Sequence, residues 1–160
     1  GSDFIYDIAN IAAKHNLRVF LLGYSKGLDP NVVEKVSLKL QTDIYNLRIV
    51  GVHSGTDSVI EEEEITSLIK KSDADILLAS FGSPRQEKWL ERNLKKTGCK
   101  IGIGLGGTFD FIAGVQKRAP RWMRQLGLEW FYRLILNPKR IIRQMALFRV
   151  AIRVLAARLK

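Results

Sequence analysis

Residues 75–111 read DILLASFGSPRQEKWLERNLKKTGCKIGIGLGGTFDF. Two near-continuous apolar runs, Asp75 to Ser80 and Ile101 to Leu105, flank a segment with helical spacing at Trp89, Leu90 and Leu94. Apolar runs without alternation are expected of strands covered on both faces. Each run opens into a glycine turn, Phe81-Gly82-Ser83-Pro84 after the first and Gly106-Gly107-Thr108 after the second. Strand, helix and strand in this order form a βαβ unit, which predicts parallel strands.

The same alternation extends toward the N-terminus. Arg18 to Gly23 and Leu47 to Val52 are two further strand-like runs. Phe4, Ile8, Ile11 and Ala12 form a helical stripe ahead of the first. Val32, Val33, Val36 and Leu40 form another after Pro30, and Ile65, Leu68 and Ile69 a third after the acid run Glu61 to Glu64. The expected fold is α/β, a Rossmann-like parallel sheet with helices on both faces.

Toward the C-terminus the charge changes. From Gly114 to Lys160 there are twelve Lys/Arg and one acid, Glu129, whereas the first 113 residues hold 14 bases and 15 acids. The whole net charge of +10 therefore falls on the last third, beside Trp122, Trp130, Phe131 and Tyr132. Ile141, Met145, Phe148, Ile152, Leu155 and Leu159 form a narrow apolar stripe at the helical period. Basic residues flank it on both sides, a pattern suited to an anionic membrane surface. The expected division is an expression scar at 1–2, an α/β core at 3–113 and a basic amphipathic helical appendage at 114–160.

No signal peptide is read at the start, and no stretch reaches the roughly 20 apolar residues of a membrane-spanning helix. One cysteine, Cys99, excludes an internal disulfide, fits a reducing compartment and is expected to pack as a small apolar residue. The acid run Glu61 to Glu64 is expected to face water at a helix start, favoured by the helix dipole, rather than to bind metal. His15 is read as structural, near a helix C-terminus. His53, just past a strand's carboxyl end, is a candidate ligand contact, since ligands bind there in open sheets.

Pro84 suits a first helical turn, and the backbone amides there would form an anion site. On the residues themselves, Gln86 and Glu87 read equally as groups held at the mouth of the sheet or as ordinary first-turn residues. Gly102, Gly104, Gly106 and Gly107 lack the spacing of a dinucleotide fingerprint, so they are expected to admit close approach of backbone or ligand. Asp110 is a lone carboxylate delivered by the turn between Phe109 and Phe111.

The block Phe81 to Glu87, the block Gly104 to Gly114 with Lys117-Arg118-Ala119-Pro120, and the block Gly127 to Leu134 closely resemble one family. This is the bacterial N-acetylmannosaminyltransferase family of the WecG/TagA/CpsF type, glycosyltransferase family 26. The resemblance spans Asp3 to about Arg143. It implies inverting transfer of N-acetylmannosamine, or a related sugar, from a UDP donor to undecaprenyl-diphosphate-linked N-acetylglucosamine in cell-wall or surface-polysaccharide synthesis. It implies no metal or other cofactor, and a peripheral location on the cytoplasmic face of the bacterial plasma membrane.

By the same resemblance Gln86, Arg133, Arg140 and Arg143 are the catalytic candidates, with the arginines closing over the UDP diphosphate. Gly82, Pro84, Gly106, Thr108, Phe109 and Asp110, together with His53, are the substrate-binding candidates. Guanidinium groups suit a leaving diphosphate that no metal neutralises. The expected partners are the UDP-sugar, the polyprenyl-linked acceptor and an anionic membrane met by residues 130–160. Nucleic acid is not expected, and a homo-oligomer is left open. The family's further N-terminal portion, which carries its proposed base, is missing, so the chain by itself is expected to be inactive. The alternative is a phosphate-binding or nucleic-acid-binding α/β module without catalytic activity.

Overall fold

The computed structural model describes residues 3–23, 29–55 and 61–115, with Pro120 and Met123. The chain divides into two units, 1–117 and 118–160, and the fold below belongs to the first. The expected amphipathic appendage lies outside the described residues.

The elements in chain order are α1 (Asp3–Lys14), β1 (Arg18–Gly23), α2 (Val32–Asp43), β2 (Arg48–Ser54), α3 (Glu62–Lys71), β3 (Ile76–Ser80), α4 (Arg85–Thr97), β4 (Ile101–Gly104) and α5 (Thr108–Ile112). All pairings are parallel, and the strand order is β2-β1-β3-β4. Val19 pairs with Ile76 and Leu21 with Leu78, so the central pair is in register throughout. The register shifts between β1 and β2 after Val19, which pairs with Ile49, while Phe20 pairs with Gly51.

Strand alternation divides the core in two. Val19, Leu21, Ile76 and Leu78 face one layer, where Ile5, Ile8, Ala9 and Ala12 of α1, the valines and Leu40 of α2, and Phe109 of α5 cover them. Phe20, Leu22, Leu77 and Ala79 face the other, covered by Ile65 and Ile69 of α3 and by Trp89 and Leu90 of α4. Phe81 and Trp89 meet edge to face there, with ring centroids 6.3 Å apart. Cys99 packs in this second layer, and burial pushes its thiol pKa up. The sheet covered on both faces is the Rossmann-like arrangement expected from the apolar runs.

Three local expectations are corrected. The buried stripe of α1 is Ile5, Ile8, Ala9 and Ala12, while Phe4 and Ile11 are exposed. Two alanines let the helix axis approach the sheet more closely than phenylalanine would. In α3, Thr66 is buried and Leu68 exposed, with Thr66 Oγ1 donating to the Glu63 carbonyl. In the acid run, Glu63 and Glu64 are exposed, but Glu62 is buried between α3 and α4. Its carboxylate accepts hydrogen bonds from Arg92 at 2.5 Å and from Asn93 Nδ2 at 2.9 Å. Burial pushes the Glu62 pKa up, but these donors outweigh it and the net shift is downward.

At the amino edge of the sheet, Asp75 ties three strands together. Its carboxylate accepts from the Arg18 backbone N–H and Nε, each at 3.0 Å, and from Lys100 Nζ at 3.1 Å. Its carbonyl accepts from the N–H groups of Lys100 and Ile101, at 3.0 and 3.3 Å. The hydrogen bonds from Arg18, with Lys100 behind them, hold its carboxyl well below the usual carboxylate range. A carboxyl depressed in the folded state stabilises above its unfolded value, near pH 3.9, and loses that contribution as pH falls toward the folded value. Asp75→Asn is expected to cost about 2 kcal/mol near neutral pH. The gap from wild type should narrow below about pH 4. Urea unfolding at neutral pH and at about pH 3 measures both gaps, and gaps of equal size would rule out this linkage.

Candidate functional site

β1 is followed in the sheet by β2 on one side, and the chain then returns to place β3 on the other side of β1. The direction of winding therefore reverses between β1 and β3. In open α/β sheets this switch point opens a crevice at the carboxyl ends of the two strands. Here those ends are Gly23 and Ser80. Beside them lie the two turns singled out from the sequence, Phe81 to Pro84 and Leu105 to Gly107.

The two turns are fastened to each other through Gln86, whose side chain is 2 % exposed. Its Oε1 accepts the backbone N–H of Gly82 at 3.2 Å and that of Gly106 at 2.9 Å. Its Nε2 donates to Glu87 Oε1 at 2.9 Å. The carboxamide is thus engaged with protein groups on both its oxygen and its nitrogen. Gly104 makes room for it, since a Cβ there would lie 2.6 Å from Gln86 Nε2. At Gly102 a Cβ would lie 2.8 Å from Leu94 Cδ1 and 2.9 Å from Leu90 Cδ2. The close approach expected at the β4 glycines is therefore that of the α4 side chains.

Gly106 has φ of 65°, in the left-handed region, with open space where a Cβ would stand. Conformation rather than crowding requires glycine there. The turn is continuous with the sheet, because Leu105 N–H donates to the Ala79 carbonyl at 2.8 Å. Thr108 is buried, and its Oγ1 donates to the Leu105 carbonyl at 2.5 Å. Phe109 is 1 % exposed and packs at the end of β1, where Gly23 leaves the space that Val33 and Phe109 occupy. Asp110 follows, half-buried in the first turn of α5, with its carboxylate turned back toward Gly107.

The start of α4 differs from expectation. Pro84 stands at the cap rather than in the first helical turn, and the Ser83–Pro84 peptide is cis. The N–H groups of Arg85 and Gln86 both donate to the Gly82 carbonyl, at 3.0 and 3.2 Å. With the Gly82 N–H held by Gln86, the amides of Gly82, Arg85 and Gln86 are engaged within the protein.

The fold therefore brings Gly82, Pro84, Gln86, Gly106, Thr108, Phe109 and Asp110 to one edge. His53 lies at the same carboxyl edge, inside β2 one residue from its end rather than past it. His53 pairs with Leu22 on the outer strand β2, two strand spacings or about 10 Å from β3. Its Nδ1 is buried with no hydrogen-bond partner among the described residues. Arg133, Arg140 and Arg143 lie outside the described residues. An open groove lined by Lys14, Asn16, Asn46 and Arg48 lies at the opposite, amino edge of the sheet.

One residue escaped the sequence reading. Ser80 was taken as the end of an apolar run, yet its hydroxyl donates to the Gly106 carbonyl at 2.9 Å and accepts the Phe109 N–H at 3.3 Å. A hydroxyl closing an otherwise apolar strand at its carboxyl end was the available signal.

A parallel sheet with helices on both faces, a switch point between β1 and β3 and two linked glycine turns at the carboxyl edge define an open α/β protein. The chain belongs to the glycosyl transferase WecG/TagA/CpsF family, which matches residues 1–160. It is 36% identical over 155 residues to the N-acetylglucosaminyldiphosphoundecaprenol N-acetyl-beta-D-mannosaminyltransferase of Bacillus subtilis (strain 168). That alignment covers 97% of this chain and 58% of the relative, so the chain spans little more than half the relative's length.

Proposed function

We propose that this chain carries the donor-binding core of an inverting glycosyltransferase. The reaction moves N-acetylmannosamine, or a related sugar, from a UDP donor to a polyprenyl-diphosphate-linked N-acetylglucosamine. The observation that carries this reading is the match, along 97% of the chain, to a relative named for transferring that sugar to such an acceptor. The linked turns at the carboxyl edge of β3 and β4 support it by offering a preformed site at the switch point.

In this reading Asp110 and Thr108 border the donor, and Gln86 shapes their turn rather than touching the reacting atoms. The departing UDP carries developing negative charge, which Arg133, Arg140 and Arg143 neutralise through charge-assisted hydrogen bonds. The excess of twelve bases over one acid in residues 114–160 suits that task. A base deprotonates the acceptor hydroxyl, and no acid of this chain is assigned that role. No metal is required, so a chelator should leave turnover unchanged.

No helix among the described residues is long and apolar enough to cross a membrane. A lipid-linked acceptor nevertheless requires approach to the bilayer. The acid-free basic segment after Glu129 would supply it from the cytoplasmic face.

Asp110→Ala in the whole protein is expected to lower turnover at least tenfold, about 1.4 kcal/mol. Steady-state assay with a UDP-sugar and a soluble acceptor measures this. Wild-type rates would remove Asp110 from the site.

A further inference from the structure

We infer that Ser80 is a positioning residue for the donor site, gripping the Gly106 turn from one face of the sheet while Gln86 grips it from the other. The inference rests on the reading that the donor binds over Gly106 to Asp110.

Ser80 is the last residue of β3 and is 4 % exposed. By strand alternation it shares a face with Ile76 and Leu78, the face on which Phe109 packs. Gln86 reaches Gly106 from α4, which covers the opposite face and lies against Gly104. One residue is thus held at both its backbone polar groups. The Gly106 N–H goes to Gln86 on one side, and its C=O receives Ser80 on the other, each at 2.9 Å.

The grip matters because of what it holds. Gly106 and Gly107 together form the most permissive dipeptide the chain could place there. Untethered, the pair would sample many orientations, and each binding event would have to order them. The same Ser80 hydroxyl accepts the Phe109 N–H at 3.3 Å, so it fixes the residue immediately before Asp110. With donor and acceptor roles both filled, Ser80 sets the orientation of the turn and the starting direction of α5 in one contact set. Removing the hydroxyl leaves the Gly106 carbonyl and the Phe109 N–H without it, and the turn keeps only the hold of Gln86 and Thr108.

A merely structural serine would lower stability and affect both substrates alike. A positioning serine acts on the ligand that its turn receives. In the whole protein, Ser80→Ala is expected to raise the donor KM about tenfold while the acceptor KM stays within about twofold. Hydrogen exchange at the Gly106 and Phe109 amides should quicken as well. Gly104→Ala is the second variant and carries the test if Ser80→Ala does not fold. Its Cβ displaces the flexible end of Gln86 and loosens the same turn from the other face. The same donor-selective rise is expected from it.

Asp110→Ala is assayed in parallel, to separate the two levels of the reading. If it impairs the enzyme while folded Ser80→Ala keeps a wild-type donor KM, or raises both KM values equally, Ser80 is not a positioning residue. If Asp110→Ala is wild type, the donor-site reading falls and takes the role of Ser80 with it, even where exchange at Gly106 quickens.

Discussion

Replacing Arg133, Arg140 or Arg143 by alanine in the whole protein is expected to lower turnover roughly a hundred- to thousandfold, about 2.7–4 kcal/mol each. In the transition state of the proposed reaction the sugar–phosphate bond is breaking and charge accumulates on the UDP diphosphate. Guanidinium groups fixed at that position stabilise the transition state more than the bound donor, so kcat falls more than donor KM rises. The competing role for a basic residue in this segment is attachment to anionic lipid, where each contributes about 1 kcal/mol. An acceptor soluble in detergent separates the two, because it removes any need for a membrane. A large loss that persists with the soluble acceptor supports leaving-group stabilisation. Near-normal turnover there would reassign the arginines to the bilayer.

The second large effect is on stability. Gln86→Ala is expected to destabilise the fold by about 3 kcal/mol. The Gly82 and Gly106 N–H groups would lose their shared acceptor, and the space beside Gly104 would lose its filling. Turnover should fall at least tenfold in the same variant, about 1.4 kcal/mol. The contrast with Asp110→Ala is the useful part. That carboxylate is half-buried where the Gln86 carboxamide is 2 % exposed, so its loss should reduce activity with a smaller change in unfolding free energy. Urea unfolding of both variants makes the comparison. Equal stability of Gln86→Ala and wild type would mean that the two turns hold each other by other contacts.

The centre of the sheet was legible because β1 and β3 are buried on both faces, whereas β2 and β4 are partly exposed. Arg18 to Gly23 and Asp75 to Ser80 read as apolar runs for the same reason that they occupy the centre, at β1 and β3. Helix faces were less legible where hydropathy and packing rank residues differently. Phe4 and Ile11 outrank Ala9 in transfer energy, but the sheet lies nearest the side where small residues permit approach. Glu62 was misjudged because its partners, Arg92 and Asn93, are about thirty residues away and a local reading weighs the helix dipole first. At the site the turns were visible as glycines, and Asp110 as an isolated acid. The link between them was not, because Gln86 and Ser80 both act on the Gly106 backbone, and backbone groups look the same at every position.

The strand order also governs what the growing chain exposes during synthesis. β1 can pair with β2 once residue 54 has emerged, but its other edge waits for β3, whose last residue is 57 positions beyond Gly23. At about 5–20 residues per second that wait is roughly 3–11 s. Throughout it, Val19 to Leu22 present an apolar strand with at least one bare edge, a template on which another nascent chain could pair. Slowing elongation between residues 54 and 80 should therefore increase aggregation on the ribosome, whereas slowing it after Gly104, when the four strands among the described residues are present, should not.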